Sequence, residues 1–234
     1  MVSMVYEFAS GSTILVDKPY EWTSFDVVNK LRWHLRKKLA AKKIKVGHAG
    51  TLDPLATGLL VICIGKHTKK INDFIQDEKE YTGTILLGKT TPSFDLETPF
   101  SHEFDISHIT REMLNEVALS FIGDQDQIPP IYSAKQIDGK RAYEHARKGR
   151  DIQLKSNKIN ISAFEINIDC FPEIMFRIVC SKGTYIRSVA NDFGKRLNSG
   201  GTLIELRRTR SGEFNIDEAK SVDKWIDFIE NMPL

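Results

Sequence analysis

Residues 46–60 constrain this chain most, because three glycines and a proline surround one aspartate there and a fully apolar run follows. Glycine lets the backbone approach other groups closely or adopt a positive φ. Pro54 fixes its own φ and biases Asp53 towards extended backbone. The apolar run at residues 59–64 indicates a buried strand or the start of a buried helix. The segment therefore predicts one carboxylate held on a rigid loop just before a buried element.

The same pattern is also typical of an ordinary turn. An Asx-type hydrogen bond from Asp53 to nearby backbone would account for the aspartate. His48 would then be a plain surface or core histidine. The local sequence selects Asp53 and His48 as candidates for chemistry without deciding between a functional and a structural role.

Four segments predict helices. Thr23 and Asp26 have the spacing of a capping box, and apolar residues then recur at steps of three and four up to residue 39. Residues 106–121 predict an amphipathic helix, residues 185–197 a further helix, and residues 221–231 a short acidic helix near the end of the chain. The first two of these helices therefore each have one face suited to a core.

Other segments predict strands at residues 13–16, 81–87 and 203–209, the last of these being the final strand. Alternation at residues 164–169 and 174–180 predicts a hairpin across Phe171-Pro172. Residues 127–132 contain two consecutive prolines and are expected to be irregular. Helices and strands mix without strict alternation. We therefore expect an α+β fold with a mixed or mostly antiparallel central sheet flanked by helices.

The composition excludes several classes of protein. Cys63, Cys170 and Cys180 form no Cys-x-x-Cys pair, so reduced thiols are expected rather than a zinc site or a disulfide framework. Signatures of phosphate-binding loops, dinucleotide sites, zinc proteases and zinc deaminases are missing, so neither a metal nor another cofactor is implied. The N-terminus has no leader pattern, and no apolar run approaches the roughly 20 residues that span a bilayer. We therefore expect a cytoplasmic protein.

The net charge of +2 indicates no partner by itself, so the distribution of charge matters more. Basic side chains concentrate at residues 32–45, 135–150 and 207–210. If these stretches share a face, they would neutralise nucleic-acid phosphates and give salt-dependent binding. A lysine-rich helix face is also the usual composition of a solvated surface, so the stretches alone do not identify RNA.

Residues 47–60 resemble the catalytic motif of the TruB family, whose members make pseudouridine at position 55 in the T-loop of transfer RNA. Five further segments resemble family motifs in the family's order and extend the resemblance from about residue 13 to residue 212. They are Asp17-Lys18-Pro19 with Thr23-Ser24, Lys79-Glu80-Tyr81, residues 127–135 as an RNA-gripping thumb, residues 181–187 and residues 206–209.

The resemblance implies a pseudouridine synthase fold and a role for each matching residue. Asp53 is the catalytic aspartate by this resemblance, Arg187 pairs with it, and Tyr81 stacks on the extruded uracil. The other implied site residues are His48 at the extrusion step, Tyr185 and Leu206 along the pocket, and Lys18, Lys135, Lys140, Arg141 and Arg147 in contact with RNA. The chemical path stays open, because Asp53 could attack the sugar, attack the base or remove a ribose proton.

The chain departs from the family in two places. It stops at Leu234, so we expect one catalytic domain over residues 1–234, with a thumb at about 125–150, a short acidic tail at 213–234 and no C-terminal PUA domain. This length argues against guide-RNA-dependent relatives, so a monomer without an obligatory protein partner is expected. Residues 90–95 differ from the more polar family pattern, so no role is assigned to Asp95.

Three functions are compatible with these observations. The first is a uridine isomerase that acts on the T-arm of transfer RNA without a cofactor. The second is an RNA-folding module in which pulling the T-loop open matters and catalysis is incidental. The third is the same enzyme acting on another structured RNA. The ordered motifs around Asp53, Tyr81 and Arg187 favour the first.

Overall fold

The computed structural model describes residue 8 and residues 10–133, 136–137, 140–141 and 154–233. Its helices are α1 (Ser24–Lys38), α2 (Ile71–Gln76), α3 (Arg111–Leu119), α4 (Ile186–Arg196) and α5 (Val222–Asn231). Its strands are β1 (Gly11–Lys18), β2 (Val46–Ala49), β3 (Thr57–Gly65), β4 (Lys79–Leu87), β5 (Lys89–Thr90), β6 (His102–Glu103), β7 (Gly123–Gln127), β8 (Gln136–Ile137), β9 (Lys140–Arg141), β10 (Asn157–Cys170), β11 (Glu173–Cys180), β12 (Gly201–Ser211), β13 (Phe214–Asn215) and β14 (Lys220–Ser221).

The chain forms two compact units. Unit 1 contains Met1–Tyr81 and Arg207–Leu234, and unit 2 contains Thr82–Leu206. Both units combine helices with strands, and parallel and antiparallel pairs occur, so the α+β prediction with a mixed sheet is confirmed. The expectation of a single domain over residues 1–234 stays a prediction.

In unit 1 the strands lie in the order β14-β1-β3-β12, with β2 also on β3 and β13 also on β12. β1 runs antiparallel to β3 over the full length of β1, whereas β14 is parallel to β1 and β12 is parallel to β3. The apolar run predicted at residues 59–64 is the middle of β3, and all six of its side chains are fully buried. It is a strand rather than a helix start, and it forms the centre of this unit.

Helices α1 and α5 complete the core of unit 1. The predicted capping box is present, because Thr23 Oγ1 accepts from Asp26 N at 3.0 Å and Asp26 Oδ2 accepts from Thr23 N at 2.9 Å. The pKa of Asp26 is lowered first by a hydrogen bond that Thr23 Oγ1 donates to Asp26 Oδ2 at 2.6 Å, and then by the one from Thr23 N. On α5, Trp225 is buried and donates from Nε1 to Leu15 O at 2.8 Å. The segment predicted as an acidic tail therefore contributes a helix to the core.

In unit 2 the strands lie in the order β12-β4-β11-β10-β7. The predicted hairpin is formed by β10 and β11, which are antiparallel and turn at Phe171-Pro172. The core is aromatic: Phe164 makes edge-to-face contacts with Phe121, Phe176 and Phe193 at centroid distances of 5.6–6.0 Å. These rings join the sheet to α4 and to the segment that follows α3.

Several boundaries differ from the sequence predictions, and β10, for example, begins at Asn157 rather than at residue 164. The helix predicted at 106–121 begins only at Arg111, because Asp105 accepts from Ser107 N and Thr110 caps the helix through Met113 N. The strand predicted as the last is followed by β13 and β14. At the start of α3, local hydrogen bonds override apolar periodicity, whereas β13 and β14 are only two residues long and give no periodicity to detect.

Part of the predicted thumb lies outside the described residues, including Lys135 and Arg147. For Lys140 and Arg141 the structure describes only the backbone of β9, which pairs with β8. The RNA contacts of these four residues stay predictions. Along the described residues, the structure contains no helix that is both long enough and apolar enough to cross a membrane.

Candidate active site

In unit 1 the Asp53 loop, residues 50–56, closes the antiparallel pair of β2 and β3. Within it, Ala56 N donates to Asp53 O at 3.1 Å, so the chain turns tightly right after the aspartate. Gly58 has a φ of +100°, and a Cβ there would lie 2.3 Å from Arg208 O. Only glycine fits that close approach, which explains one of the glycines in the motif.

Lys18 holds the loop from inside unit 1. Its side chain is fully buried, and its ammonium donates to Pro54 O at 3.2 Å, to Pro19 O at 3.0 Å and to Trp22 O. Burial lowers the pKa of Lys18 to about 8, an effect that the carboxylate of Asp53 opposes. These contacts support a positioning role within the loop. Direct contact of Lys18 with RNA stays a prediction.

Ser24 and Arg208 fix the loop at further points. Leu52 N donates to Ser24 Oγ at 2.9 Å, so the first residue of α1 anchors the residue before Asp53. Arg208 is buried and donates from Nη2 to Gly50 O at 3.1 Å and from Nε to Leu59 O at 2.7 Å. One guanidinium therefore binds the backbone both before and after Asp53. These contacts explain how the loop can be held rigidly.

The basic stretch at residues 207–210 is engaged within unit 1. Arg207 makes two hydrogen bonds to the Asp17 carboxylate, at 3.0 and 2.7 Å. Arg210 pairs with Glu78 at 2.9 Å. Together with the buried Arg208, these pairs favour a structural role for the stretch over phosphate binding.

His48 lies on β2 and is half-buried. Burial lowers its pKa, the charge of Arg208 lowers it further, and the backbone of Gly50 opposes the shift. Nδ1 is buried and, among the described residues, has no partner with hydrogen-bond geometry. The lowered pKa therefore favours the neutral imidazole.

Tyr81 is the third residue of β4 and is buried. Its neighbour Glu80 accepts from Thr209 Oγ1 at 2.7 Å, which ties this end of β4 to β12 within unit 1. The tyrosine predicted to stack on uracil thus lies on a well-anchored strand. Unit 1 therefore contains Lys18, His48, Asp53 and Tyr81, and it brings Lys18 to the Asp53 loop.

In unit 2, Arg187 lies in the first turn of α4 and is buried. Its Nη1 donates to Tyr132 O at 2.9 Å and to Ser93 O at 3.3 Å. Its Nε lies 3.6 Å from Asp95 Oδ2, and Asp95 is also buried. Asp95, to which the sequence assigned no role, thus forms a buried ion pair with Arg187. An aspartate with Glu97 two residues on, in a turn rich in serine and threonine, was the only available signal.

Tyr185 and Leu206 are the remaining predicted pocket residues, and both are half-buried in unit 2. Tyr185 precedes α4, and the Gln127 amide binds its backbone twice, accepting from Tyr185 N at 2.8 Å and donating to Tyr185 O at 3.0 Å. Leu206 lies on β12 beside Glu205, which accepts from Thr84 Oγ1 at 3.1 Å. Gln127, at the start of the predicted thumb, therefore supports the segment at residues 181–187 that contains Arg187. The pair of Asp53 with Arg187 stays a prediction.

Chemically, unit 1 presents a single carboxylate on a fixed loop that a buried lysine holds, and it contains a half-buried histidine whose pKa is lowered. Within the part of the chain that the structure describes, no group of three or more His, Cys, Asp or Glu side chains has the arrangement of a metal site. The arrangement suits nucleophilic or acid–base chemistry by one aspartate.

Comparison with known proteins identifies the family. A family model described as the N-terminal domain of TruB family pseudouridylate synthases matches residues 36–186. A protein of Phocaeicola vulgatus is 52% identical over 224 residues, which cover 94% of this chain and 95% of that protein. One of Flavobacterium johnsoniae is 53% identical over 214 residues, which cover 91% and 93%. Both are named tRNA pseudouridine synthase B.

Solved structures agree on the fold. A Cbf5-Nop10-Gar1 complex contains a chain that is 26% identical with a TM-score of 0.70, covering 94% of this chain. An archaeal box H/ACA Nop10-Cbf5 complex contains one that is 24% identical with a TM-score of 0.68, covering 95%. The present chain spans about half the length of those chains, at 55% and 54%. From the family match and its half-identical relatives, the chain belongs to the TruB family of pseudouridylate synthases.

Proposed function

We propose that this protein isomerises uridine to pseudouridine at position 55, in the T-loop of transfer RNA, with Asp53 as the catalytic carboxylate and without a cofactor. The observation that carries the proposal is the Asp53 loop, which Lys18, Ser24 and Arg208 bind on both sides of the aspartate. Relatives that are about half identical and match over nearly their whole length are named tRNA pseudouridine synthase B, which supports the reaction and the substrate.

The reaction needs no co-reactant. The bond from C1′ to N1 of uracil breaks, the base rotates, and a bond from C1′ to C5 forms. The proton on C5 is lost and N1 gains one, so the atoms balance within the nucleotide. A carboxylate on a fixed loop suits this chemistry, because a positioned group need not reorganise in the transition state.

Supporting roles follow the family resemblance. Arg187 pairs with Asp53, and Asp95 orients Arg187 through their 3.6 Å contact. Tyr81 stacks on the uracil, and Tyr185 and Leu206 line its pocket. Attack on the sugar, attack on the base and removal of a ribose proton are all compatible with this set.

The uridine must leave its stack before Asp53 reaches it, and extrusion costs roughly a few kcal/mol. A neutral His48 fits this step, because an uncharged ring can replace a base without the cost of desolvating a cation. Lys135, Lys140, Arg141 and Arg147 would hold the T-arm from the thumb. The protein acts as a monomer in the cytoplasm, where transfer RNA matures, and needs no protein partner.

The test is incubation with an unmodified transfer RNA transcript, followed by chemical mapping of pseudouridine. Asp53→Asn keeps the size of the side chain and removes its charge. Asp223→Asn, at an exposed position on α5, is the matched control. We expect product at position 55 from the parent and from the control, and none from Asp53→Asn.

Other outcomes would replace this proposal. Undiminished product from Asp53→Asn would remove Asp53 from the reaction. RNA binding without any product would favour the folding module. Product at other sites only, found by transcriptome-wide mapping in a deletion strain, would reassign the substrate.

A further inference from the structure

The charge of this chain is strongly segregated. Residues 30–45 contain eight Lys and Arg and no Asp or Glu. The rest of the chain contains 25 Lys and Arg and all 31 Asp and Glu, so it is net negative. The overall charge of +2 therefore conceals one basic segment, formed by most of α1 and the loop that follows it.

Most of these cations are exposed. Arg32 is engaged with Asn29 and Val46 O, and Lys38 donates to Glu230 O. The other six are exposed, and within the residues that the structure describes none of them pairs with a carboxylate: Lys30, Arg36, Lys37, Lys42, Lys43 and Lys45. Clustered cations without counter-charges repel one another, so they favour an anionic partner.

Two large aromatic side chains stand among these cations. Phe25 is 59% exposed and Trp33 is 57% exposed. Lys37 Nζ lies 5.3 Å from the Trp33 ring centroid, and the Arg32 guanidinium lies 5.9 Å from that of Phe25. Exposed aromatic rings beside cations are the composition with which proteins bind unpaired nucleotides, because rings stack on bases while cations bind phosphates.

Helix α1 also leads away from the Asp53 loop. Its first residue, Ser24, hydrogen-bonds Leu52 within that loop. At about 1.5 Å per residue, the helix reaches roughly 20 Å to its last residue, Lys38. The acidic Glu21 and Asp26 lie at the beginning and the cations towards the end, so phosphates are expected on the later turns.

We infer that this outer face is a second RNA-contact surface, the α1 surface, formed by Phe25, Trp33, Arg36, Lys37, Lys42 and Lys43. Resting on the proposed function, its ligand is the part of transfer RNA beyond the target loop, with Trp33 stacking on an unpaired base. A protein partner fits less well, because lysine is depleted at protein interfaces. A second copy would bring two sets of like charges together.

The first test measures equilibrium binding of an unmodified transfer RNA transcript to the full chain carrying Asp53→Asn. Arg36→Glu with Lys43→Glu is compared with Lys195→Glu plus Lys224→Glu, which makes the same charge change at exposed positions on other helices. We expect the first pair to weaken binding at least about tenfold and to lower the salt slope by about two. Equal losses from both pairs, or none from the first, would overturn the inference.

The second test addresses stacking. Trp33→Ala is expected to weaken binding at least about fivefold, whereas Trp33→Phe retains a ring and stays close to the parent. Phe100→Ala is the matched control, since Phe100 is also exposed and has Lys89 5.2 Å from its ring centroid. Equal affinity of Trp33→Ala and the parent would overturn the stacking role. A lower oligomeric mass of Trp33→Ala in sedimentation would assign the surface to self-association instead.

Pseudouridine formation by the parent is measured in parallel. Binding that depends on the α1 surface, without product from the parent, would contradict the proposed function and leave this inference intact. Product from the parent, together with unchanged RNA affinity of the Arg36→Glu plus Lys43→Glu variant and of Trp33→Ala, would contradict this inference and leave the proposed function intact.

Discussion

In unit 1, two buried cations, Lys18 and Arg208, donate to backbone carbonyls on either side of an aspartate. In unit 2, the buried cation Arg187 itself donates to the carbonyls of Ser93 and Tyr132 and lies 3.6 Å from Asp95. Both regions use guanidinium or ammonium groups to fix backbone. They differ in the charge of the scaffold, which is cationic around Asp53 in the first region and consists of carbonyls and a carboxylate around Arg187 in the second.

This difference predicts different responses to substitution. Removing a scaffold cation from unit 1 frees carbonyls and loosens the loop that carries Asp53. Removing the scaffold anion from unit 2 leaves the guanidinium of Arg187 less compensated in a buried position. The first change should act mainly through geometry and the second through electrostatics.

The largest effect is expected for Asp95→Asn. The amide keeps the shape but removes the charge beside Arg187, and breaking a buried ion pair from one side costs about 3–5 kcal/mol of unfolding free energy. Denaturant unfolding measures that loss, and single-turnover pseudouridine formation should fall with it. Glu97→Gln is the control, because it neutralises an exposed carboxylate in the same turn. A loss no larger than that of the control would show that Asp95 does not compensate Arg187.

Lys18 gives a prediction that depends on pH. Its folded pKa is about 8 and its ordinary value is 10.5, so between these values the unfolded chain binds a proton that the folded chain has lost. Stability relative to Lys18→Met should therefore rise from pH 8 to 10.5, by up to about 3 kcal/mol. Activity should move in the opposite direction, because the neutral amine has fewer N–H donors for the carbonyls that it holds.

Two pH series check this opposition. The parent and Lys18→Met are unfolded in denaturant across the range, and their single-turnover rates are measured at the same pH values. Lys224→Met, which removes an exposed lysine from α5, should change neither series. A parent rate that does not decline above pH 8 would show that the charged ammonium is not needed to hold the loop.

Arg208→Met is expected to cost about 2–3 kcal/mol, since the carbonyls of Gly50 and Leu59 lose their side-chain donor in a buried place. Arg207→Met removes the neighbouring pair with Asp17, which is partly exposed, and should cost about 1 kcal/mol or less. Urea unfolding separates the two variants. Equal costs would contradict the bracing of the loop by Arg208.

The sequence predicted those elements whose cause is local. The β3 run, the hairpin of β10 and β11 and the capping box of α1 all follow from side-chain periodicity or from residues three apart. The start of α3 was wrong because the Asp105 and Thr110 hydrogen bonds compete with apolar periodicity. The burial of α5 was missed because its acidic residues obscured an apolar stripe at Val222, Trp225 and Ile229.

In the candidate site, the family resemblance identified Asp53 as the catalytic residue, whereas the local sequence left its role undecided. It did not find the bracing by Arg208, whose partner Gly50 is 158 positions away and accepts through its backbone. Every residue type has a backbone carbonyl that can accept, so the sequence does not reveal such a contact. The role of Asp95 was missed for a related reason, since the family pattern was the only guide to that segment and the chain departs from it there.

The smallest expected effects compare one serine in each region. Ser24→Ala leaves the N–H of Leu52 without its acceptor and should cost about 1 kcal/mol. Ser188→Ala removes a donor to Ile128 O next to Arg187 and should cost about the same. Because Asp53 directly follows Leu52 and Arg187 has two further carbonyl contacts, Ser24→Ala should slow single-turnover chemistry more.

Ser221→Ala calibrates this last comparison. It removes the N-cap of α5, whose Oγ accepts from Lys224 N, and costs about 1 kcal/mol without touching either region. If the rate depends only on overall stability, all three serine variants will slow chemistry equally. If loop geometry limits the rate, Ser24→Ala will slow chemistry more than Ser221→Ala does, although both variants lose the same stability. The Asp53 loop of unit 1 is then the more sensitive of the two regions.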